Sequence, residues 1–174
     1  MTELLRFFVN RMETPIGQML IVTDPEGNLR AVDWTDYEAR MRRLLARQYA
    51  KMGFRFEPTH DLNGATDAIA RYFAGELDAI DALSVKTAGT HFQCDVWGAL
   101  RTIPCGTTVS YAQLARRIER PKAVRAVGLA NGSNPVGVVV PCHRVIGSDG
   151  SLTGYGAGIE RKRWLLQHEK RARR

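Results

Sequence analysis

VVPCHRVIG, the stretch Val139–Gly147, is the part of this sequence that decides its fold. It continues the run VGVVV (136–140), whose apolar, β-branched residues predict a buried strand. Pro141 has no backbone N–H to offer a sheet, so the strand is expected to end there. Cys142 then lies where the strand stops, directly before a histidine and an arginine. Because a reactive thiolate needs a base or a cation within reach, Cys142 is a candidate nucleophile, with a structural cysteine as the alternative.

The overall composition is that of an ordinary globular protein. The 174 residues, 44% of them hydrophobic, suffice for one large domain or one domain with a small companion. No apolar run approaches the roughly 20 residues that a membrane helix needs, and the N-terminus lacks the layout of a signal peptide. The sequence therefore predicts a cytoplasmic protein with no membrane partner.

The three cysteines, Cys94, Cys105 and Cys142, match no zinc-binding spacing and no CxxC pair. Their odd number is typical of a reducing compartment, so a disulfide framework is not expected. Nothing near Cys94 or Cys105 in the sequence activates a thiol, and both are interpreted as small hydrophobic residues. We expect no metal and no other cofactor.

Charge is divided unevenly along the chain. The net charge is +7, but residues 1–100 hold 11 Lys and Arg against 14 Asp and Glu, and residues 101–174 hold 14 against 4. The balance is −3 in the first part and +10 in the second. A basic C-terminal part indicates a polyanionic partner such as nucleic acid, with a solvated basic surface as the alternative.

The first half is predicted to form a small α+β unit. Alternating apolar residues predict strands over 4–12, 18–24 and 29–34. Helical periodicity predicts helices over 36–53 and 63–75. The segment SVKTAGT, Ser84 to Thr90, is a candidate linker. We therefore divide the chain into domains 1–86 and 87–174.

The second half is predicted to be mostly helical. Thr90 and Ser110 are candidate N-caps of helices over 91–103 and 111–118. A further helix is predicted over 122–132, and its pairing with the preceding helix across a tight turn is typical of a helix-turn-helix. A basic helix is predicted to close the chain.

The predicted helix over 122–132 has one long cationic side chain among small residues. Arg125 is followed by Ala126, Gly128, Ala130 and Gly132. Such a helix either packs closely in a core or lies against a duplex with the arginine projecting. The pattern alone leaves both interpretations open.

The motifs around Cys142 resemble one protein family. PCHRVIG is preceded by NGSNP (131–135) and followed by TGYGAG (153–158) and RWLLQHE (163–169), while TPIG (14–17) and YFAGEL (72–77) occur in the first half. Together they resemble the O6-alkylguanine-DNA alkyltransferases, also called methylated-DNA–protein-cysteine methyltransferases. The resemblance extends over nearly the whole chain.

The resemblance implies an α+β fold: an N-terminal ribonuclease-H-like domain and a mostly helical C-terminal domain with a winged-helix-like helix-turn-helix. It also implies DNA repair. The protein would bind double-stranded DNA that carries O6-alkylguanine, flip the base, and transfer the alkyl group irreversibly to its own cysteine, so that each molecule reacts once. A monomer is expected, and activity on O4-alkylthymine, tolerance of large alkyl groups and cooperative assembly on DNA stay open.

The resemblance assigns catalytic roles to five residues. Cys142 is the nucleophile, His143 the base that draws off its proton through a water molecule, and Glu169 the carboxylate that orients the imidazole. From the residues alone, the favoured interpretation of Glu169 is an exposed charge on a basic helix. Asn134 would tie the turn that holds Cys142 to the helix-turn-helix, and Tyr111 would donate its phenol to the departing base.

Further residues are assigned to the substrate. The carbonyls of Cys142 and Val145 would accept from the exocyclic amine of the guanine, and the backbone N–H of Gly156 would meet its oxygen. Lys162 would stand nearby as a cation. Tyr155 would either flank the flipped base or anchor the glycine-rich loop.

The resemblance also gives the helix of small residues a purpose. Arg125 would fill the gap that the flipped base leaves in the stack. Ala126, Gly128 and Ala130 would let the helix approach the minor groove closely, with little reading of sequence. Weak reading of the DNA sequence suits the repair of a lesion that can occur in any sequence.

Two positions depart from the family pattern, and two other functions remain in competition. Ala157 stands where many relatives have glycine, and Arg163 where an acid is common, which leaves the width of the pocket open. A winged-helix DNA-binding regulator with a structural Cys142 is the main alternative. A cysteine hydrolase is the third.

Overall fold

The computed structural model describes residues 3–59 and 64–173. They form two compact units, one ending at Ala88 and the other beginning at Gly89. The chain contains both helices and sheets, which confirms the predicted α+β class. The assignment of separate functional domains to residues 1–86 and 87–174 stays a prediction. No helix within the described ranges is both long enough and apolar enough to cross a membrane.

The first unit is built on a four-stranded sheet with the strand order β3-β2-β1-β4. Its strands are β1 (Leu5–Thr14), β2 (Gly17–Thr23), β3 (Leu29–Trp34) and β4 (Phe54–Pro58). β1 pairs antiparallel with β2 and parallel with β4, and β2 pairs antiparallel with β3. The sequence predicts the first three strands. It does not predict β4, because FRFEP is only five residues long and mixes charges with aromatic residues.

The described residues of the first unit also form two α-helices, α1 (Glu38–Gln48) and α2 (Ala65–Phe73), and two short 3-10 helices, Thr35–Tyr37 and Leu77–Ile80. The helix predicted over 36–53 is shorter than expected, and Gly53 takes a φ of 69° where the chain turns into β4. Asn63, the first residue of the second predicted helix, lies outside the described residues.

One hydrophobic cluster of the first unit lies between α1 and the sheet. Its buried members are Phe7, Leu20, Val22, Ala31, Met41, Leu45 and Tyr49. Part of the predicted linker, residues 84–90, is hydrogen-bonded to β3. The Leu29 N–H donates to the Ser84 carbonyl at 2.8 Å, and the Lys86 N–H donates to the Leu29 carbonyl at 3.0 Å. These bonds hold the start of that segment beside β3.

The second unit combines four helices with two short strands. They are α3 (His91–Leu100), β5 (Val109–Ser110), α4 (Tyr111–Arg117), α5 (Val124–Gly132), β6 (Val145–Ile146) and α6 (Ile159–Ala172). Thr90 and Ser110 each form a capping box with a glutamine three residues on, which confirms both predicted N-caps. α4 and α5 pack on each other across a short turn, as predicted for the helix pair. Arg174, the last residue of the predicted basic helix, lies outside the described residues.

The buried strand predicted over 136–140 is wrong. The run is largely buried, but it forms turns, and Val138 has a φ of 68°, far from the conformation of a strand. The Val140 N–H donates to the Val136 carbonyl at 3.0 Å, and Asn134 Nδ2 donates to the Val140 carbonyl at 2.8 Å. An apolar pattern predicts that a segment is buried, but it does not predict which groups its backbone binds. Here the Val140 carbonyl accepts from the side-chain amide of Asn134, where a strand would pair with a neighbouring strand.

Candidate active site

Cys142 begins a single 3-10 turn that ends at Arg144. The Cys142 N–H donates to the Val140 carbonyl at 2.8 Å, and the Arg144 N–H to the Pro141 carbonyl at 3.0 Å. Cys142 is 7% exposed. Adjacent side chains on an extended strand point to opposite sides, but a turn removes that alternation. His143 can therefore belong to the same site as the thiol that precedes it.

His143 and Glu169 form a buried pair. His143 Nε2 lies 2.7 Å from Glu169 Oε1, and neither side chain has exposed surface. Glu169 comes from α6, which packs on the turn that carries Cys142. This burial excludes the alternative of an exposed charge on a basic helix.

Arg144 holds the other side of the Glu169 carboxylate. Its Nε donates to Oε2 at 3.0 Å and its Nη2 to Oε1 at 2.9 Å. The Gly106 N–H also donates to Oε2, at 3.2 Å, and Arg144 Nη1 donates to the Ile103 carbonyl at 2.7 Å. The planar guanidinium matches both carboxylate oxygens at once. The carboxylate is therefore fixed in the orientation that meets the imidazole.

The charges around the pair decide where its proton lies. Burial lowers the pKa of His143 below its ordinary value, against the opposing effect of Glu169. Burial would raise the pKa of Glu169, but His143 and Arg144 hold that pKa well below its ordinary value. Because ionised Glu169 only accepts, neutral His143 carries its proton on Nε2. Its Nδ1 is then an acceptor, buried and without a hydrogen-bond partner among the described residues.

Asn134 connects the end of α5 to the segment before Cys142. It is 3% exposed, its Nδ2 donates to the Val140 carbonyl at 2.8 Å, and its Oδ1 accepts from the Val136 N–H at 3.0 Å. Both ends of the amide are used. The predicted role of Asn134, to tie this segment to the helix pair, stays a prediction.

Tyr111 and Lys162 both reach the glycine-rich loop. The Tyr111 hydroxyl donates to the Thr153 carbonyl at 3.0 Å. Lys162 Nζ donates to the carbonyls of Val145, Thr153 and Gly154 at 2.6, 3.1 and 3.2 Å. Burial lowers the pKa of Lys162, and Cys142 has the opposite, smaller effect. Lys162 therefore joins β6 to the loop as well as placing a cation near the thiol.

The loop itself carries the remaining predicted substrate residues. Tyr155 and Gly156 are half-buried, and the Tyr155 carbonyl accepts from the Gly158 N–H at 3.0 Å. Ala157, one of the two departures from the family pattern, is 5% exposed. Arg163, the other departure, is exposed and pairs with Glu160. The second departure thus lies on the outer face of α6.

The helix predicted to meet DNA has an exposed face and a buried one. Arg125 and Ala126 are exposed, and Gly128 is half-buried. Ala130 is 3% exposed, and its carbonyl accepts from Trp97 Nε1 at 2.8 Å, so this residue lies on the face packed against α3. Five positions in a helix of 3.6 residues per turn carry Ala130 away from the Arg125 face. Its side chain is therefore part of the packing and does not belong to the exposed face.

The sequence did not single out three residues that shape this region. For Arg144 the sequence did contain an indication of a role in the site, since it follows Cys142 and His143 directly. Leu129 is 70% exposed one helical turn after Arg125, a large apolar residue among small ones. The interpretation of Cys105 as a cysteine with nothing nearby to activate it is wrong. Its Sγ accepts from Arg144 Nη2 at 2.8 Å, a contact between distant parts of the sequence.

Known proteins match this chain over most of its length. A sequence model of the 6-O-methylguanine DNA methyltransferase DNA-binding domain matches residues 91–171. A methylated-DNA–protein-cysteine methyltransferase of Shigella flexneri is 49% identical over 95% of this chain and 97% of its own length. The chain belongs to this family. The methyltransferase of Mycolicibacterium paratuberculosis is 46% identical, with 92% of this chain and 90% of the relative covered.

Solved structures of the methyltransferase family have the same fold. Mycobacterium tuberculosis OGT in complex with DNA matches with a TM-score of 0.79 and 40% identity, covering 97% of this chain and 94% of that one. A crystal structure of Mycobacterium tuberculosis O6-methylguanine methyltransferase matches with a TM-score of 0.77 and 40% identity, covering 95% of this chain and 94% of that one. The resemblance read from PCHRVIG and its flanking motifs is confirmed.

Proposed function

We propose that this protein repairs DNA by transferring an alkyl group from O6 of guanine in double-stranded DNA to Sγ of Cys142. The family supports the reaction, since its members are named for methyl transfer from DNA to a protein cysteine. The observation that carries the assignment to this residue is the Cys142 turn next to the buried pair of His143 Nε2 and Glu169 Oε1, 2.7 Å apart.

The proposed reaction begins at the thiol. The proton of Cys142 moves to His143 Nδ1, through the bridging water that the family resemblance implies, and Glu169 stabilises the resulting imidazolium. The Sγ electron pair attacks the alkyl carbon, a new S–C bond forms, and the C–O6 bond breaks with its electrons left on guanine. The guanine anion then takes up one proton, which balances the one that the thiol gave to His143, so neutral guanine and neutral His143 are restored. The thioether has no leaving group to lose, so the protein reacts once.

The substrate base must leave the stack to reach this site. Cys142 is 7% exposed, so a base held inside a duplex cannot approach its thiol. Arg125, exposed on α5, would fill the gap in the stack. Tyr111 and the Gly156 N–H would meet the charge that develops on guanine, and the Val145 carbonyl and Tyr155 would help to hold the base.

Intact mass spectrometry tests this assignment directly. After incubation with a duplex that carries one O6-methylguanine, we expect the chain to gain one methyl group in place of one hydrogen, located on Cys142 by peptide mapping. Cys142→Ala should gain nothing and should still bind the duplex. The matched control Cys94→Ala, at an exposed cysteine, should react like the wild type. An unmodified wild-type chain would contradict the proposal and favour the DNA-binding regulator.

The cellular setting follows from the proposed substrate. The named relatives are bacterial, and a bacterial chromosome lies in the cytoplasm, so we place this protein in the cytoplasm, acting as a monomer. Sedimentation of the free protein and of its complex with a short duplex tests the monomer. A stable dimer without DNA would contradict it.

A further inference from the structure

Asn131 lies beside the backbone of the proposed nucleophile. It is close to the end of α5, is 5% exposed, and its Nδ2 donates to the Cys142 carbonyl at 3.4 Å. The two terminal atoms of an amide share one carbon, so Asn131 Oδ1 also lies close to this carbonyl. The orientation of the amide follows from the contact, since a carbonyl oxygen accepts and only the nitrogen can donate.

The Oδ1 atom of Asn131 is buried and has no hydrogen-bond partner among the residues that the structure describes. Asn134, three residues later, uses both ends of its amide within the protein. A buried acceptor without a donor destabilises a folded protein, and such groups are uncommon. A buried acceptor without a donor, beside the turn that carries the nucleophile, points to a donor that arrives with the substrate.

O6-alkylguanine offers few hydrogen-bond donors. In guanine, N7 and O6 are acceptors and the 2-amino group is a donor. Alkylation at O6 removes the proton from N1, so the 2-amino group is the only donor left on the base. Of the two carbonyls that family resemblance assigns to this amine, that of Val145 already accepts from Lys162 Nζ at 2.6 Å, and that of Cys142 from Asn131.

We propose that Asn131 Oδ1 accepts a hydrogen bond from the 2-amino group of the flipped O6-alkylguanine, which makes Asn131 a specificity-determining residue. This inference rests on the proposed function, because it needs the base in the Cys142 site. The Nδ2 contact to the Cys142 carbonyl holds this amide beside the backbone of the nucleophile. Asn131 then favours guanine over bases that lack an amino group at that position.

The test compares two substrates that differ only in this amine. Single-turnover rates are measured on the same duplex carrying either O6-methylguanine or O6-methylhypoxanthine, which has hydrogen in place of the 2-amino group. For the wild type, we expect a preference for O6-methylguanine of roughly tenfold or more, the usual effect of an unmet buried polar group. In Asn131→Leu, similar in size but without the amide, this preference should fall by about tenfold.

The control is Ser133→Ala, at the adjacent end of α5, where the hydroxyl donates to the Leu129 carbonyl. It should keep the wild-type preference. An equal rate loss for both substrates in Asn131→Leu would overturn the proposal and leave Asn131 a purely structural residue. If Asn131→Leu does not fold, Asn131→Ala takes its place with the same expected loss of preference, and equal wild-type rates on the two substrates would also overturn the proposal. Failure of the proposed function looks different, since the wild type would then transfer no methyl group from either duplex.

Discussion

Glu169 shows how a single residue can be charged in a buried place. Its carboxylate meets His143, Arg144 and the backbone of Gly106, and it has no exposed surface. Arg144 cannot lose its charge, so the carboxylate keeps a permanent counter-ion whether His143 is neutral or protonated. The pair is thereby poised to accept a proton on the imidazole without rearrangement.

Glu169→Gln should slow alkyl transfer while leaving the thiol in place. The amide has nearly the same shape but cannot stabilise the imidazolium, so we expect the single-turnover rate to fall by roughly a hundredfold or more. The unfolding free energy should fall by about 3 kcal/mol, because Arg144 loses its counter-ion. The matched control Glu160→Gln, exposed on the same helix, should retain the wild-type rate. An unchanged rate in folded Glu169→Gln would exclude the proposed proton path.

The lowered pKa of His143 also makes stability depend on pH. The unfolded chain takes up a proton on this histidine below its ordinary pKa of 6.5, whereas the folded chain resists it. The stabilisation is therefore present above that pH and is lost as pH falls towards 5, with a slope approaching about 1.4 kcal/mol per pH unit for one proton.

Urea unfolding of the wild type and of His143→Gln at several pH values between 5 and 7.5 measures this effect. The variant cannot take up the proton, so its stability should change less over the same interval. Parallel curves for the two proteins would show that His143 does not contribute.

At the scale of elements, α5 serves two surfaces. Its inner face buries Val127 and Ala130, while Arg125, Ala126 and Leu129 are exposed. Arg125 is the second residue of the helix, whereas Asn131, near its end, and Asn134, just after it, lie beside the segment that carries Cys142. One rigid element can therefore hold both a DNA contact and the backbone of the reaction site.

Arg125→Ala should affect duplex DNA more than a free base. Its proposed task is to hold the extruded state, so the reaction with an O6-methylguanine duplex should slow by roughly tenfold or more. The reaction with free O6-benzylguanine, if the pocket admits that base, should change little. Arg43→Ala, at an exposed arginine of α1, is the control and should react normally. Equal losses on both substrates would assign Arg125 to the chemistry instead.

At the scale of the whole molecule, charge separates the two parts of the chain. The balance of +10 in residues 101–174, which include α4 and α5, stands against −3 in residues 1–100. Binding through phosphates releases condensed counterions, and this makes affinity depend steeply on salt. The same contacts do not distinguish sequences.

Affinity of Cys142→Ala for undamaged duplexes should fall by roughly two to three decades between 50 and 200 mM salt, if the surface meets about 4–6 phosphates. Duplexes of different sequence should bind within a few-fold of one another, because the minor groove presents a degenerate pattern. Fluorescence anisotropy over a salt series measures both quantities. An affinity that does not change with salt would contradict binding through phosphates. A strong preference for one DNA sequence would favour a DNA-binding regulator.

The sequence by itself determined the α+β class, the caps of α3 and α4, and the family. These features depend on local rules: a Thr90 or Ser110 hydroxyl satisfies the N–H groups of the turn it precedes, and alternation reports which side of a strand is buried. The PCHRVIG motif could be recognised because the candidate nucleophile Cys142, the candidate base His143 and Arg144 are consecutive residues. The same local rules predicted a strand at 136–140, where the apolar run is buried but turns.

Only the tertiary structure decided which hydrogen bonds and ion pairs form in the candidate active site. Arg144, Glu169 and Cys105 are distant in sequence. No local pattern predicts that the Arg144 guanidinium binds both the Glu169 carboxylate and the Cys105 sulfur. Glu169 lies among basic residues on α6, so its burial depends on which face of that helix packs on the Cys142 turn. The pKa values of His143 and Glu169 also depend on the tertiary structure. Burial lowers the pKa of His143, the charges of His143 and Arg144 lower that of Glu169, and both causes exist only once the chain has folded.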